Sequence, residues 1–290
     1  MTGALATTPI TWGYVGGNRW GIDMPPRTIL GEMRDLGFTA SEAGVPGFLP
    51  DDIGEAKALL EEFGIEAIAG PVSFVAHEAG SLPDATTRVE AAASRLAQLG
   101  ATVLITVPKP GAHQLGEPLP PEQFTRLVAS LHEIEAVAAA YGLRQALHPH
   151  VGSLVETADD MAQLLEAADI GWCLDTAHLA SGDMSTEVFV EIAGDRITHV
   201  HVKDLDIALG QKMVAHEIGF DEAISANVFR ALGDGDLDLG PVLAVLPRDV
   251  WWVLEQDVAV PAAPEQGEGP IRDARRSLEE IRRRLANVVQ

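Results

Sequence analysis

A single (β/α)8 TIM barrel of the α/β class, spanning residues 1–290, is the fold this sequence predicts. Three observations predict it. Eight short apolar or β-branched runs recur along the chain, amphipathic segments separate them, and no linker is long enough to divide it. Runs without polar alternation suit strands covered on both faces. An open doubly wound sheet is the alternative. Its G-x-G-x-x-G fingerprint is missing, because "YVGGNRWG" has the wrong spacing and no helix directly behind it.

In order, the runs are Ile10–Tyr14, Phe38–Glu42, Ile65–Ala69, Thr102–Val107, Arg144–His148, Ile170–Leu174, Ile197–Val202 and Val250–Leu254. The segment "PPEQFTRLVASLHEIEAVAAAYG" opens with proline and closes with glycine, the asymmetry of a helix. In "ETADDMAQLLEAAD", Thr157 is an N-cap with acidic residues in the first turn. The last segment spaces Ile271, Ala274, Leu278, Ile281, Leu285 and Val288 by three and four, which is one helical face. Asp204–Asp238 reads as the longest loop, and within it "LGDGDLDL" reads as a turn in which Asp234 or Asp236 holds backbone.

Composition narrows the partners. The net charge is −23, spread without an acidic block, so nucleic acid is not expected. An anionic substrate would need a local basic patch, and the candidates, Lys109 and Lys203, are isolated in the sequence. No run of about 18 apolar residues occurs, so no membrane span is expected. Met1–Pro9 lacks the basic start and apolar core of a signal peptide, and Cys173 is the only cysteine. Both features lead to the expectation of a cytoplasmic protein.

The strand ends carry the chemistry, since a barrel collects functional side chains at the C-terminal ends of its strands. The second ends at Glu42, the third runs on to His77, and the fourth leads to Lys109 and His113. The fifth ends at His148 and His150, the sixth at Asp175 followed by His178. The seventh, "THVHVKD", holds His199, His201, Lys203 and Asp204, and the eighth leads to Glu255 and Asp257. Strands five to eight thus offer His, Asp, His and Glu at one mouth. Imidazole and carboxylate without thiolate suit Mn2+, Co2+, Mg2+ or Zn2+. A buried carboxylate ending a core strand is costly unless paired, and a metal ion would pair with Asp175. The plainer alternative is an N-cap at Asp175 with His178 exposed. His201 lies nearer the strand end than His199 and is the better ligand, and Lys203 follows in phase, within reach of substrate oxygens.

These motifs carry a resemblance. "LDTAHL", "HVHVKD", "LGDGDLDL" and "LEQD", with "ITWGY…RWGID", "SEAGVPGFLP" and "HPHVG", are similar to the xylose-isomerase-like sugar isomerase/epimerase barrels, nearest the inosose dehydratase branch of inositol catabolism. The resemblance covers nearly the whole chain. It implies a divalent metal, Mn2+ first, with Co2+ or Mg2+ as alternatives, on His148, Asp175, His201 and Glu255. The strand-five ligand is His where the epimerases have Glu, and Glu156 or water are the alternatives at that corner. The resemblance implies Glu42, His150, His178 and Lys203 as substrate contacts and catalytic groups. The implied reaction is dehydration of a keto-cyclitol such as 2-keto-myo-inositol through an enolate. A ketose epimerase or isomerase and a lyase cleaving C-glycosides use the same logic. A sugar-binding barrel without catalysis is a further reading, which failure to bind metal would support. A small-molecule polyol partner and a homo-oligomer, dimer or tetramer, are implied as well.

Overall fold

The computed structural model describes residues 4–265 and 267–288. Its elements run β1 (Leu5–Thr7), α1 (Pro26–Asp35), β2 (Ala40–Ser41), α2 (Ile53–Phe63), β3 (Glu66–Ala67), β4 (Ala69–Phe74), α3 (Leu82–Leu99) and β5 (Val103–Pro108). There follow α4 (Pro121–Ala140), β6 (Arg144–Leu147), α5 (Ala158–Ala167), β7 (Trp172–Asp175), α6 (Thr176–Ser181), α7 (Thr186–Ala193) and β8 (Ile197–Val202). The chain closes with β9 (Asp204–Leu205), α8 (Ile207–Val214), α9 (Phe220–Ser225), β10 (Phe229–Arg230), α10 (Leu239–Val245), β11 (Trp252–Leu254) and α11 (Pro270–Val288). No helix among the described residues is long and apolar enough to cross a membrane.

Nine strand segments form one parallel sheet in the order β3-β2-β1-β11-β8-β7-β6-β5-β4. Its two ends, β3 and β4, are separated by Ile68 alone. The Ile68 amide donates to Ser41 O at 3.0 Å, and its carbonyl accepts from Thr102 N at 3.0 Å. The two ends are therefore halves of one barrel strand, and the sheet wraps into a nearly closed barrel, the predicted class.

Three local expectations are corrected. Ile10–Tyr14 is not the first strand, since Leu5–Thr7 takes that place beside β11 and β2. Pro9 lacks an amide donor and presets a turn, so Pro9–Trp12 winds into a 3-10 turn that ends at Gly13, with φ 73°. The third strand runs past Ala69 to Phe74, and it pairs there with β5. Beyond Ala69 only that one side carries a ladder, which is where a residue such as Pro71 is tolerated. The stretch Asp204–Asp238 is not a plain loop, because it holds β9, α8, α9 and β10, with β9 and β10 antiparallel.

The helices follow the sequence closely. Thr157 caps α5 in a capping box with Asp160. On α11, Ile271, Ala274, Leu278, Ile281 and Leu285 are buried, and the Val288 side chain lies outside the described residues. Within the strands the period of two sorts the side chains. Trp172, Leu174, Val200, Val202, Trp252 and Leu254 face the helices. Ala6, Ala40, Ala69, Ala146, Cys173 and Val253 pack inside the barrel. Two residues further along the same inward faces stand His148, Asp175, His201 and Glu255. The apolar floor, much of it alanine, therefore gives way to a polar layer at the C-terminal ends.

Candidate functional site

Seven ionisable side chains meet at that polar layer. Glu42, His148, His150, His201, Lys203, Glu255 and Asp257 all line one cavity of about 170 Å³ at the barrel mouth. Asp175 is fully buried beside it.

Asp175 ends β7 and starts α6, and its two oxygens have different tasks. Oδ1 accepts from the amides of Ala177 and His178, both at 2.9 Å, and so caps α6. Oδ2 faces the barrel, 3.3 Å from His148 Nε2, 3.4 Å from His201 Nδ1 and 3.5 Å from Lys203 Nζ. The N-cap posed from sequence is present, and the other oxygen of the same residue faces the cluster. His178 is buried, not exposed.

His201 is gripped from both sides. Its Nε2 donates to Glu42 Oε1 at 2.8 Å, and His199 Nε2 donates to the same oxygen at 2.9 Å. That leaves His201 Nδ1 aimed at Asp175 and Glu255. Nδ1 and Glu255 Oε2 lie 2.7 Å apart, yet both are buried atoms without a hydrogen bond. Two donor atoms converging on one point suit ligands around a cation. Asp175, His201 and Glu255 each offer one atom within 4.8 Å of the others.

The protein's own cations balance these carboxylates in part. Burial opposes every charge here, but the neighbours outweigh it. Lys203 and the imidazoles hold Asp175 well below the usual carboxylate range. Burial disfavours a charged His201, yet Cys173, Glu255 and Glu42 raise it well above the usual imidazole value. Lys203 is likewise kept protonated by Asp175, Asp257 and Glu255, at 3.5, 2.6 and 3.0 Å. Glu42, Asp175, Glu255 and Asp257 together outnumber the cations among them, so a divalent ion beside His201 Nδ1 fits the donor set and the charge.

His150 differs. Burial, with His148 and Lys109 nearby, holds it neutral, well below the usual value. Its Nδ1 lies 2.6 Å from the Val151 carbonyl. A carbonyl only accepts, so Nδ1 carries the proton and Nε2 keeps its lone pair. His178 stacks behind His150, with ring centroids 4.1 Å apart, and does not line the cavity. Phe220 and Phe229 pack against His178 from the excursion after β8. Glu156 turns away, accepting from Gly152 N at 2.8 Å and pairing with His216 at 3.0 Å. His148 is therefore the strand-five group beside the cluster. A larger cavity of about 290 Å³ lies over Glu156 and Asp160. Glu156 and Asp160 are already engaged there, Glu156 by Gly152 and His216 and Asp160 by the α5 capping box.

Sequence reasoning named Asp257 at a strand end but gave it no role. It follows Glu255 by two residues, so the period of two already placed it on the inward face. Burial raises its carboxyl to about 6. No local signal announced Phe220 or Phe229, which reach the mouth only through the folded excursion.

Comparison with known proteins agrees with this architecture. Over 250 residues, 80% of each chain, the sequence is 26% identical to the inosose dehydratase of Geobacillus kaustophilus. It is 27% identical over 274 residues to the rhizopine catabolism protein MocC of Rhizobium meliloti, covering 89% of this chain and 82% of that one. A probable 3-DHS dehydratase, AsbF, from Bacillus anthracis shares the fold with a TM-score of 0.74 at 12% identity, over 96% of this chain and 98% of that one. The family model of the xylose isomerase-like TIM barrel matches residues 30–281. With its barrel, its inward strand ends and that match in agreement, the chain belongs to the xylose isomerase-like TIM-barrel family.

Proposed function

We propose that this protein is a metal-dependent hydro-lyase that removes water from a polyhydroxylated ketone, with the keto-cyclitol 2-keto-myo-inositol as reference substrate. The observation that carries the reading is the convergence of Asp175, His201 and Glu255 on one point, with His201 Nδ1 and Glu255 Oε2 buried and unbonded. The name of the Geobacillus relative, inosose dehydratase, supports the dehydratase branch. Asp175, His201 and Glu255 would hold the ion, with His148 completing the set. Bound there, a divalent ion supplies Lewis acidity toward the substrate ketone and an adjacent hydroxyl.

The protein's own groups divide the remaining work. His150, neutral and with Nε2 free, is the base that takes the proton α to the ketone. Lys203, held protonated and fully buried, stabilises the negative charge that develops on oxygen. Asp257, 2.6 Å from Lys203, fixes that ammonium, and its carboxyl, raised to about 6, protonates the departing hydroxyl from its protonated fraction, which grows as pH falls toward 6. Glu42 holds the His201 tautomer rather than moving a proton, the task of a carboxylate behind a histidine ligand. His178 acts from behind, as packing for the His150 ring. An epimerase would return the α proton from the opposite face, and a second base placed there is the feature to seek for that reading.

Proton NMR in D2O tests the proposal. Metal-stripped protein is reloaded in parallel with Mn2+, Co2+, Mg2+ or Zn2+ and given 2-keto-myo-inositol. Loss of substrate signals with growth of the dehydrated product is the expected result. Deuterium at the α carbon without elimination would move the assignment to an epimerase or isomerase. Inertness of folded protein with all four metals would overturn it in favour of a binding protein.

A further inference from the structure

Among the described residues, no carboxylate pairs with Lys109 on the cavity wall. The chain holds 43 acidic residues against 20 lysines and arginines, so carboxylates outnumber basic side chains. Of its four lysines, Lys57 and Lys212 are exposed on α2 and α8. Lys203 is buried among three carboxylates. Lys109 alone is half-buried on the cavity wall, and among the described residues no carboxylate pairs with its ammonium. Burial acts on it first and Arg19, another cation, second, and both pull it below the usual lysine value. Its backbone is not mobile, because the Lys109 amide donates to Phe74 O at 2.7 Å and so belongs to the β4–β5 ladder.

The cavity is therefore zoned. Its floor carries Glu42 and Glu255 with Asp175 beside them, and its wall carries the free ammonium of Lys109. Holding a half-buried ammonium without a counter-ion is unfavourable unless an anion arrives to join it. The two lysines that were isolated in the sequence now border one space.

We infer that the substrate is an acid: a polyhydroxylated ketone bearing an anionic group, which Lys109 receives while the ketone end lies over Asp175, His201 and Glu255. This rests on the keto-polyol reading above and sharpens it from an uncharged keto-cyclitol to a keto-acid. A carboxylate is favoured over a phosphate ester because the cavity of about 170 Å³ is smaller than the roughly 300 Å³ at which ligand pockets usually begin.

Calorimetric titration of the metal-loaded protein separates the cases. Wild type, Lys109→Met and Lys109→Arg are each titrated with 5-keto-D-gluconate, 2-keto-myo-inositol and D-fructose 6-phosphate. In Lys109→Met the acid-to-neutral ratio of affinities is expected to fall about tenfold or more, the scale of one charge-assisted hydrogen bond. Lys109→Arg should keep most of the ratio. An unchanged ratio in Lys109→Met, or no binding of either anionic probe by wild type, overturns the inference. A larger Lys109 dependence for the phosphate overturns the carboxylate assignment in favour of a phosphate ester. Deuterium exchange into each probe is read separately. If none exchanges while the Lys109 ratio holds, the enolate reading fails and the anion site stands.

Discussion

At the scale of single residues, Asp175 joins stability to chemistry. One oxygen caps α6 through two amides and the other faces the cluster. Asparagine caps a helix about as well as aspartate, whereas alanine loses about 1 kcal/mol. Asp175→Asn should therefore keep hydrogen-exchange protection at Ala177 and His178 while metal affinity drops by about 100-fold, the charge and ligand oxygen being lost. Asp175→Ala should lose both. Equal metal affinity in wild type and Asp175→Asn would remove Asp175 from the ligand set. The dual use was not legible in "LDTAHL". A sequence shows that a carboxylate ends a strand, but not that its two oxygens point opposite ways.

At the scale of elements, the excursion between β8 and β11 was the least legible part. Its elements are short, and short segments are held by tertiary packing rather than by propensity. Read as a loop, it instead packs α8 and α9 over the mouth. Asp221 on α9 accepts from Trp20 Nε1 at 2.8 Å and from Arg19 Nε at 3.0 Å, tying the segment after β1 to the excursion. The Arg19 pair is well exposed and contributes little. The part-buried Trp20 bond dominates. Asp221→Ala is expected to speed amide exchange in α9 and around Trp20 about threefold to tenfold, the value of one such hydrogen bond. No change by hydrogen-exchange mass spectrometry would mean that packing of Trp20 on Phe220 suffices by itself. By contrast α4, α5 and α11 were readable, because each is long or carries its own cap.

At the scale of the whole molecule, the site concentrates carboxylates at the end of a barrel whose chain is already at −23. A cation that binds the folded state alone stabilises it by mass action, by about 2.7 kcal/mol at a hundred times its Kd. Scanning calorimetry should then show Tm rising roughly 5 °C on metal loading and falling back with EDTA. A Tm indifferent to Mn2+, Co2+, Mg2+ and Zn2+ would argue that Lys203 and a protonated His201 neutralise the cluster unaided. The sequence by itself determined the barrel, because strand and helix periods are local, and it determined which residues stand at the strand ends, because alternation assigns each to a face. It could not place β1 or the excursion, where Pro9 and a few short elements decide the path. Only the tertiary structure decided which strand ends meet. Glu42 reaches His199 and His201 across more than 150 positions of chain, Lys109 stands on the cavity wall with no carboxylate paired to it among the described residues, and His178 stands behind His150. Distance across a barrel depends on closure, tilt and side-chain direction together, and none of these is carried by any single stretch of residues.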